Sequence, residues 1–192
     1  MRNTIIGVLA FALVGTMGAM AWTACAMDEP GQSEEMAADK AADAAAGECC
    51  EKGDTTPPLE LIAKTPKGGL HNPYNDDVEA MAEIGKKRYL AYGCNGCHGG
   101  NGGGGMCPPL TNDAWVYGAD DDTVFRLIAE GTDELKKQGY KRVRKEVVVG
   151  PMPPFGEIIK TSDDLWKVIS FIRVKNPSSM KRVDKPAQTP GQ

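Results

Sequence analysis

Apolar residues recur at three-to-four spacing in three stretches of the chain, and each stretch predicts a helix with one buried face. In residues 76–92 that face carries Val78, Met81, Gly85, Tyr89 and Tyr92. Gly costs a helix interior about 1 kcal/mol against Ala, so Gly85 predicts the close approach of another backbone. Residues 120–130 turn Val124, Leu127 and Ile128 inward, and Gly131 ends the pattern. In residues 162–175 Ser162 is the expected N-cap and Asp163 and Asp164 suit the first turn, while Leu165, Ile169 and Ile172 form the stripe. Trp166 or Phe171 is expected to meet Tyr89. No strand pattern is longer than residues 147–149, so the expected fold is mainly α, with 23 Gly and 13 Pro in its connections.

The ends read differently. Met1 and Arg2, an apolar run over residues 5–22 and the small residues Ala24-Cys25-Ala26 make residues 1–26 an expected export signal. Cleavage is expected after Ala26, with Ala21 the second choice. A lipidated Cys25 and an uncleaved anchor are the alternatives, the run being only just long enough to span a bilayer. Residues 27–70 form an acidic leader. Residues 27–60 hold ten acids and two bases, whereas residues 61–192 hold sixteen acids and nineteen bases, so the net charge of −4 belongs to the leader. Residues 27–57 have almost no aliphatic side chains and are expected to be flexible. The folded domain is expected over residues 71–176, followed by a draping tail, 177–192. Bases are not clustered around a reading motif, which excludes a nucleic-acid partner. No stable membrane insertion is expected once the signal is removed.

Cys94-Asn95-Gly96-Cys97-His98 is CxxCH, the attachment signature of one covalent haem c. Two thiols three residues apart add across the porphyrin vinyl groups, and the following imidazole lies under the iron as proximal ligand. A zinc site would need two further ligands at paired spacing, and only His71 and Cys107 are nearby in sequence. A thioredoxin-like pair would sit in a βαβ unit, which is missing. A thioether opposite His98 would raise the potential. Met106 follows His98 too closely to reach the far face, and Met180 lies in the polar tail. Met152, between Pro151 and Pro153-Pro154, sits on a stiffened loop and is the expected sixth ligand, with His71 the weaker alternative.

A helix with Gly85 and Tyr89, then CNGCH, a Gly-rich loop, Pro108-Pro109-Leu110, a Met-Pro loop and a closing helix together resemble a class I c-type cytochrome. More narrowly, residues 72–174 resemble the periplasmic cytochromes of methylotrophic bacteria that serve PQQ-dependent methanol and related alcohol dehydrogenases, in a four-cysteine, methanol-metabolism-related subset. The narrower likeness rests on NPY, GGGGM-x-PPL and W-x-YG. The resemblance implies a class I cytochrome c fold in which Cys94 and Cys97 hold haem and His98 and Met152 bind its iron. Tyr89, Pro108 and Pro109 then line the cofactor, and a carbonyl of Pro108 or Pro109 accepts from the His98 imidazole. It also implies a periplasmic one-electron carrier, not an enzyme. Its donor would be a PQQ-dependent alcohol dehydrogenase and its acceptor another c-type cytochrome or an oxidase. Residues 132–150 depart from the pattern as an insertion, and Cys107 stands where Gly is expected.

Two alternatives stand beside that function. One is a haem enzyme or gas sensor with an open or labile sixth position; the other is a redox-silent accessory subunit of the dehydrogenase. The spare cysteines are Cys49, Cys50 and Cys107. In an oxidising compartment a bridge from Cys107 to Cys50 or Cys49 is expected, stabilising by about 4 kcal/mol in the chain-entropy model. The third thiol then stays free or joins two chains, and a vicinal Cys49–Cys50 bond would be strained. The basic run Lys136, Lys137, Lys141, Arg142, Arg144 and Lys145 reads either as a solvated face or as charge that steers a partner or the chain's own acidic leader.

Overall fold

The computed structural model describes residues 50–180. The export signal with Cys25, residues 27–49 of the leader and the tail beyond residue 180 lie outside that span. Among the described residues the order is α1 (Pro58–Lys64), a 3-10 turn (Asn75–Asp77), α2 (Val78–Ala91), α3 (Asn95–His98), α4 (Asp121–Lys137), α5 (Ser162–Lys175) and α6 (Pro177–Met180), with no strand. None of these helices is long and apolar enough to cross a membrane.

Helices α2 and α5 make the main helix–helix contact. Their backbones meet at Gly85, where a Cβ would stand 1.9 Å from the Lys167 carbonyl oxygen. That approach explains a glycine in mid-helix. Four residues on, the Tyr89 ring packs on Phe171 with centroids 5.1 Å apart. Trp166 turns the other way, to Phe125 of α4 at 4.3 Å. Tyr89, Phe125, Leu165, Trp166 and Ile169 are all fully buried, so three helices share one core.

The first turn of α5 has N–H groups with no helical acceptor, and the leader supplies two. Ser162 N donates to Thr56 O at 2.8 Å and Asp163 N to Asp54 O at 3.0 Å. The third goes to the N-cap, which is Thr161: its Oγ1 accepts from Asp164 N at 3.1 Å. Ser162, the expected cap, lies one position inside the helix, and its hydroxyl donates to Thr56 O. Asp163 reaches back in turn, accepting from Gly53 N at 2.9 Å and Tyr74 Oη at 2.5 Å, and pairing with Lys167. Burial opposes its ionisation, but these partners outweigh it and hold its pKa below the usual carboxylate range.

Residues 50–70 are therefore part of the folded body, and the expected start at residue 71 is too late. Leu61, Ile62 and Leu70 lie in the main core. Residues 54–56 contribute backbone carbonyls, so their polar composition was no guide. The tail is corrected in the same sense. Asn176 Nδ2 donates to Leu110 O and Asn112 O at 3.1 and 2.7 Å, and Ser179 is buried in α6, so residues 177–180 are fixed.

Asp120 caps α4 by accepting from Thr123 N at 2.9 Å. Gly131 interrupts the helix with φ 79°, ψ 170°, where the pattern predicted its end, but helical turns resume through Lys137. The insertion thus begins as helix and builds a small core of Leu135 and Tyr140 against Tyr117. Tyr140 donates to Asp122 Oδ2 at 3.1 Å, and burial pushes its pKa well up.

Gly85→Ala should gain helix propensity and still lose stability, by about 3 kcal/mol, because the methyl group must displace the Lys167 carbonyl. Urea unfolding of the holoprotein measures it; a variant as stable as the wild type would show that the helices slide apart at no cost.

Candidate haem-binding site

Helix α2 ends at Tyr92, whose N–H bonds Arg88 O at 2.9 Å, and Gly93 then turns the chain at φ 76°. Cys94 N still reaches Tyr89 O at 3.1 Å, and His98 N reaches Cys94 O at 3.0 Å. CNGCH is therefore a single helical turn anchored on the end of α2. Spacings of three and four along that turn put Cys97 and His98 on the same side as Cys94. Burial pushes the Cys94 thiol up to about 11.

The glycine-rich loop folds back under this turn. Gly104 N donates to His98 O at 2.9 Å, Cys107 N to Cys97 O at 3.0 Å, and Leu110 N to Gly102 O at 2.7 Å. Gly99 must be glycine, with φ 76° and the Gly104 carbonyl oxygen 2.5 Å from where a Cβ would stand. The loop brings the Pro108 carbonyl oxygen to 2.9 Å from His98 Nδ1. That bond fixes the ring and leaves Nε2 as the nitrogen able to bind a metal.

The opposite wall is the Met loop, held to the break in α4. Gly131 lets the chain turn away, so carbonyls of the preceding turn lose their helical partners. The Met loop takes them up: Phe155 N donates to Ile128 O at 3.0 Å and Gly156 N to Ala129 O at 2.8 Å. Thr132 then clamps Met152 from both sides of its backbone, Thr132 N donating to Met152 O and Met152 N to Thr132 Oγ1, each at 2.9 Å. A Cβ at Gly131 would stand 2.8 Å from Pro154 N and 2.9 Å from Met152 O. The Gly131-Thr132 clamp was not foreseen from the sequence, because a Gly-Thr pair gives no sign of a partner twenty residues away.

Between the walls lies an apolar cleft with about 1180 Å³ of space free of protein atoms, counting its open mouth. Tyr89, Cys94, His98, Pro108, Pro109 and Met152 all line it, and Cys97 lies on the same turn as Cys94. Tyr89 donates to Gly99 O at 2.6 Å, and burial raises its pKa to about 12. His71, the weaker candidate for sixth ligand, does not line the cleft, and its N–H faces Cys50 Sγ at 3.3 Å. Met106 is exposed and lies outside the cleft as well. Cys107 does line it, as a thiol beside Cys97 and not in the expected bridge to Cys50; Cys49 lies outside the described residues. Parity of cysteines carries no information on where each one sits.

The donors fit a covalently held haem. Two thiols and an oriented imidazole occupy one wall, a thioether the other, and the space between is apolar. One polar feature fits as well. Trp115 lines the cleft with Nε1 buried and without an acceptor. The Arg173 guanidinium stands 5.6 Å from that ring, its Nε and Nη1 also buried without partners. Buried donors left this way cost about 1–3 kcal/mol each, and at Trp115, which lines the cleft, a haem carboxylate would supply the missing acceptor.

Residues 82–175 match the family model for Cytochrome c, from within α2 to the last residue of α5. No curated protein and no solved structure matches the chain. The matched span contains the attachment turn, the glycine loop, the α4 break and the Met loop, so over residues 82–175 the chain is a class I cytochrome c domain carrying covalent haem c, that of a c-type cytochrome.

Proposed function

We propose that this c-type cytochrome is an exported one-electron carrier whose iron is held by His98 and Met152. Its donor is a PQQ-dependent methanol or related alcohol dehydrogenase, and its acceptor is another c-type cytochrome or an oxidase. When bound, the haem supplies the Fe(III)/Fe(II) couple. The protein holds the ligands in place, keeps the pocket apolar and offers a face to partners.

The observation that carries the reading is the double clamp of Thr132 on Met152. A methionine serving only as core filler needs no fixed backbone, whereas a ligand retained in both oxidation states must be held at constant reach. An open-site enzyme or gas sensor would instead want a mobile or absent side chain at this point. The donor class is supported by the narrower resemblance over NPY, GGGGM-x-PPL and W-x-YG. Export is supported by the apolar run and the small residues ending at Ala26.

Rapid mixing of the ferric protein with a PQQ alcohol dehydrogenase and its alcohol should reduce one equivalent of iron per chain. If ascorbate reduces the protein but the dehydrogenase never does, the proposed donor is wrong. The clamp has its own test. Thr132→Val removes the acceptor for Met152 N, and the sulfur-to-ferric-iron absorption should then be lost at a lower temperature, for a change of about 1 kcal/mol. An unchanged melting of that band would mean that the prolines alone fix the loop.

A further inference from the structure

The attachment turn has a third thiol beside it that haem attachment does not use. Cys94 and Cys97 take the two vinyl groups, which leaves Cys107 over. Its place is tightly set. Cys107 N donates to Cys97 O at 3.0 Å and Gly104 N to His98 O at 2.9 Å, so the glycine loop runs back alongside the turn. Standard bond lengths across the first of these hydrogen bonds hold the Cα atoms of Cys97 and Cys107 within about 7 Å of each other. A disulfide spans a Cα separation of about 4.4–6.8 Å. The side chains come together as well, for the Cys107 thiol hydrogen-bonds that of Cys97.

The three thiols are not equivalent. Cys94 is buried, at 8% exposure, and lines the cleft. Cys97 and Cys107 are half-buried, and Cys97 is not part of the cleft lining. An oxidant arriving from solvent therefore meets the Cys97–Cys107 pair first, while Cys94 faces the space that the porphyrin fills. Nor does the pair need a finished fold. Nine residues separate the two cysteines, and six of them are Gly. A loop of ten residues closes in roughly 10–100 ns, so Cys107 revisits Cys97 constantly even in a chain without its cofactor.

We propose that Cys107 is a holding thiol for Cys97 in the haem-free chain: the two form a disulfide that orders attachment, Cys94 first and Cys97 second. A disulfide-bearing oxidant takes two electrons and two protons from the pair and leaves as a dithiol. Cys94 keeps its S–H and adds it across one vinyl group, sulfur to one carbon and hydrogen to the other, with no net oxidation. A dithiol reductant then returns two electrons and two protons, which frees Cys97 to turn into the cleft and add to the second vinyl group in the same way. Cys107 ends as a thiol beside the finished thioether. A Cys94–Cys97 disulfide would instead block both additions at once. The pairing rests on geometry; only the supply of oxidant rests on the export reading.

The full-length chain, produced without haem, is equilibrated in glutathione buffers, blocked with N-ethylmaleimide and mapped by peptide mass spectrometry. The Cys97–Cys107 disulfide should exceed the Cys94–Cys97 one several-fold. This map needs no variant, so misfolding of a mutant cannot produce it. The oxidised chain is then mixed with ferrous haem, and haem that survives acid–acetone extraction counts as covalent. Oxidised wild type should hold haem through Cys94 alone, and dithiothreitol should add the bond to Cys97. Oxidised Cys107→Ser, left with the Cys94–Cys97 disulfide, should hold none until dithiothreitol is added and should then form both bonds. A dominant Cys94–Cys97 disulfide in the wild type, or Cys107 paired with Cys49 or Cys50, would overturn the proposal. So would an oxidised wild type that takes up no covalent haem until it is reduced. Failure of the export reading is distinct: the chain would be recovered from the cytoplasmic fraction, where no oxidant forms the pair, while the pairing in glutathione buffers stayed as above.

Discussion

The close crossing of α2 and α5 at Gly85 fixes the geometry on which the site depends. With no side chain there, the Lys167 carbonyl can enter the space a methyl group would fill, and the two helices lock at one depth and one register. Tyr89 and Phe171 continue the contact one turn later. The end of α2 is thereby set against the core, and the attachment turn is bonded to that end through Cys94 N and Tyr89 O. The position of His98 is inherited from this crossing. Helix α5 is held from its other end by the leader, whose carbonyls at residues 54 and 56 complete its first turn.

The second wall uses a different device. Breaking α4 at Gly131 leaves carbonyls without helical partners in a buried region, where unpaired groups cost about 1–3 kcal/mol each. The Met loop satisfies them and is positioned by doing so. One glycine therefore sets where Met152 lies, and the residue after it, Thr132, fixes that backbone through two hydrogen bonds. The cleft between the walls is apolar where the porphyrin belongs, with the Trp115 Nε1 donor on its lining. A core built this way is completed by its cofactor. The insertion then adds a separate small core around Leu135 and Tyr140, so its charged rim is carried on an ordered base.

Much of this was legible in the chain because its causes are local. CNGCH is legible since attachment requires two thiols and an imidazole within one helical turn. Gly85 is legible because mid-helix glycine is costly without a reason, and Met152 stands out between prolines. What was not legible depends on distant partners. Thr161 and Ser162 are adjacent hydroxyl residues, and only the backbone shows that Thr161 is extended and able to cap. Residues 50–57 looked too polar to fold, yet their contribution is made with carbonyls, which composition does not report. The bridge from Cys107 to Cys50 was argued from compartment and parity, while the tight glycine loop holds Cys107 beside Cys97; the alternative partner, Cys49, lies outside the described residues.

The central claim is that the protein presents iron with His98 on one side and Met152 on the other. The visible and near-infrared spectra of the purified mature protein, oxidised and reduced, beside those of Met152→Ala, test it most directly. The account predicts a low-spin spectrum with a weak sulfur-to-ferric-iron band that disappears in the variant, and a wild-type ferrous form indifferent to carbon monoxide. A high-spin ferric spectrum in the wild type, with carbon monoxide binding on reduction, would contradict it and place the chain among haem proteins with an open iron.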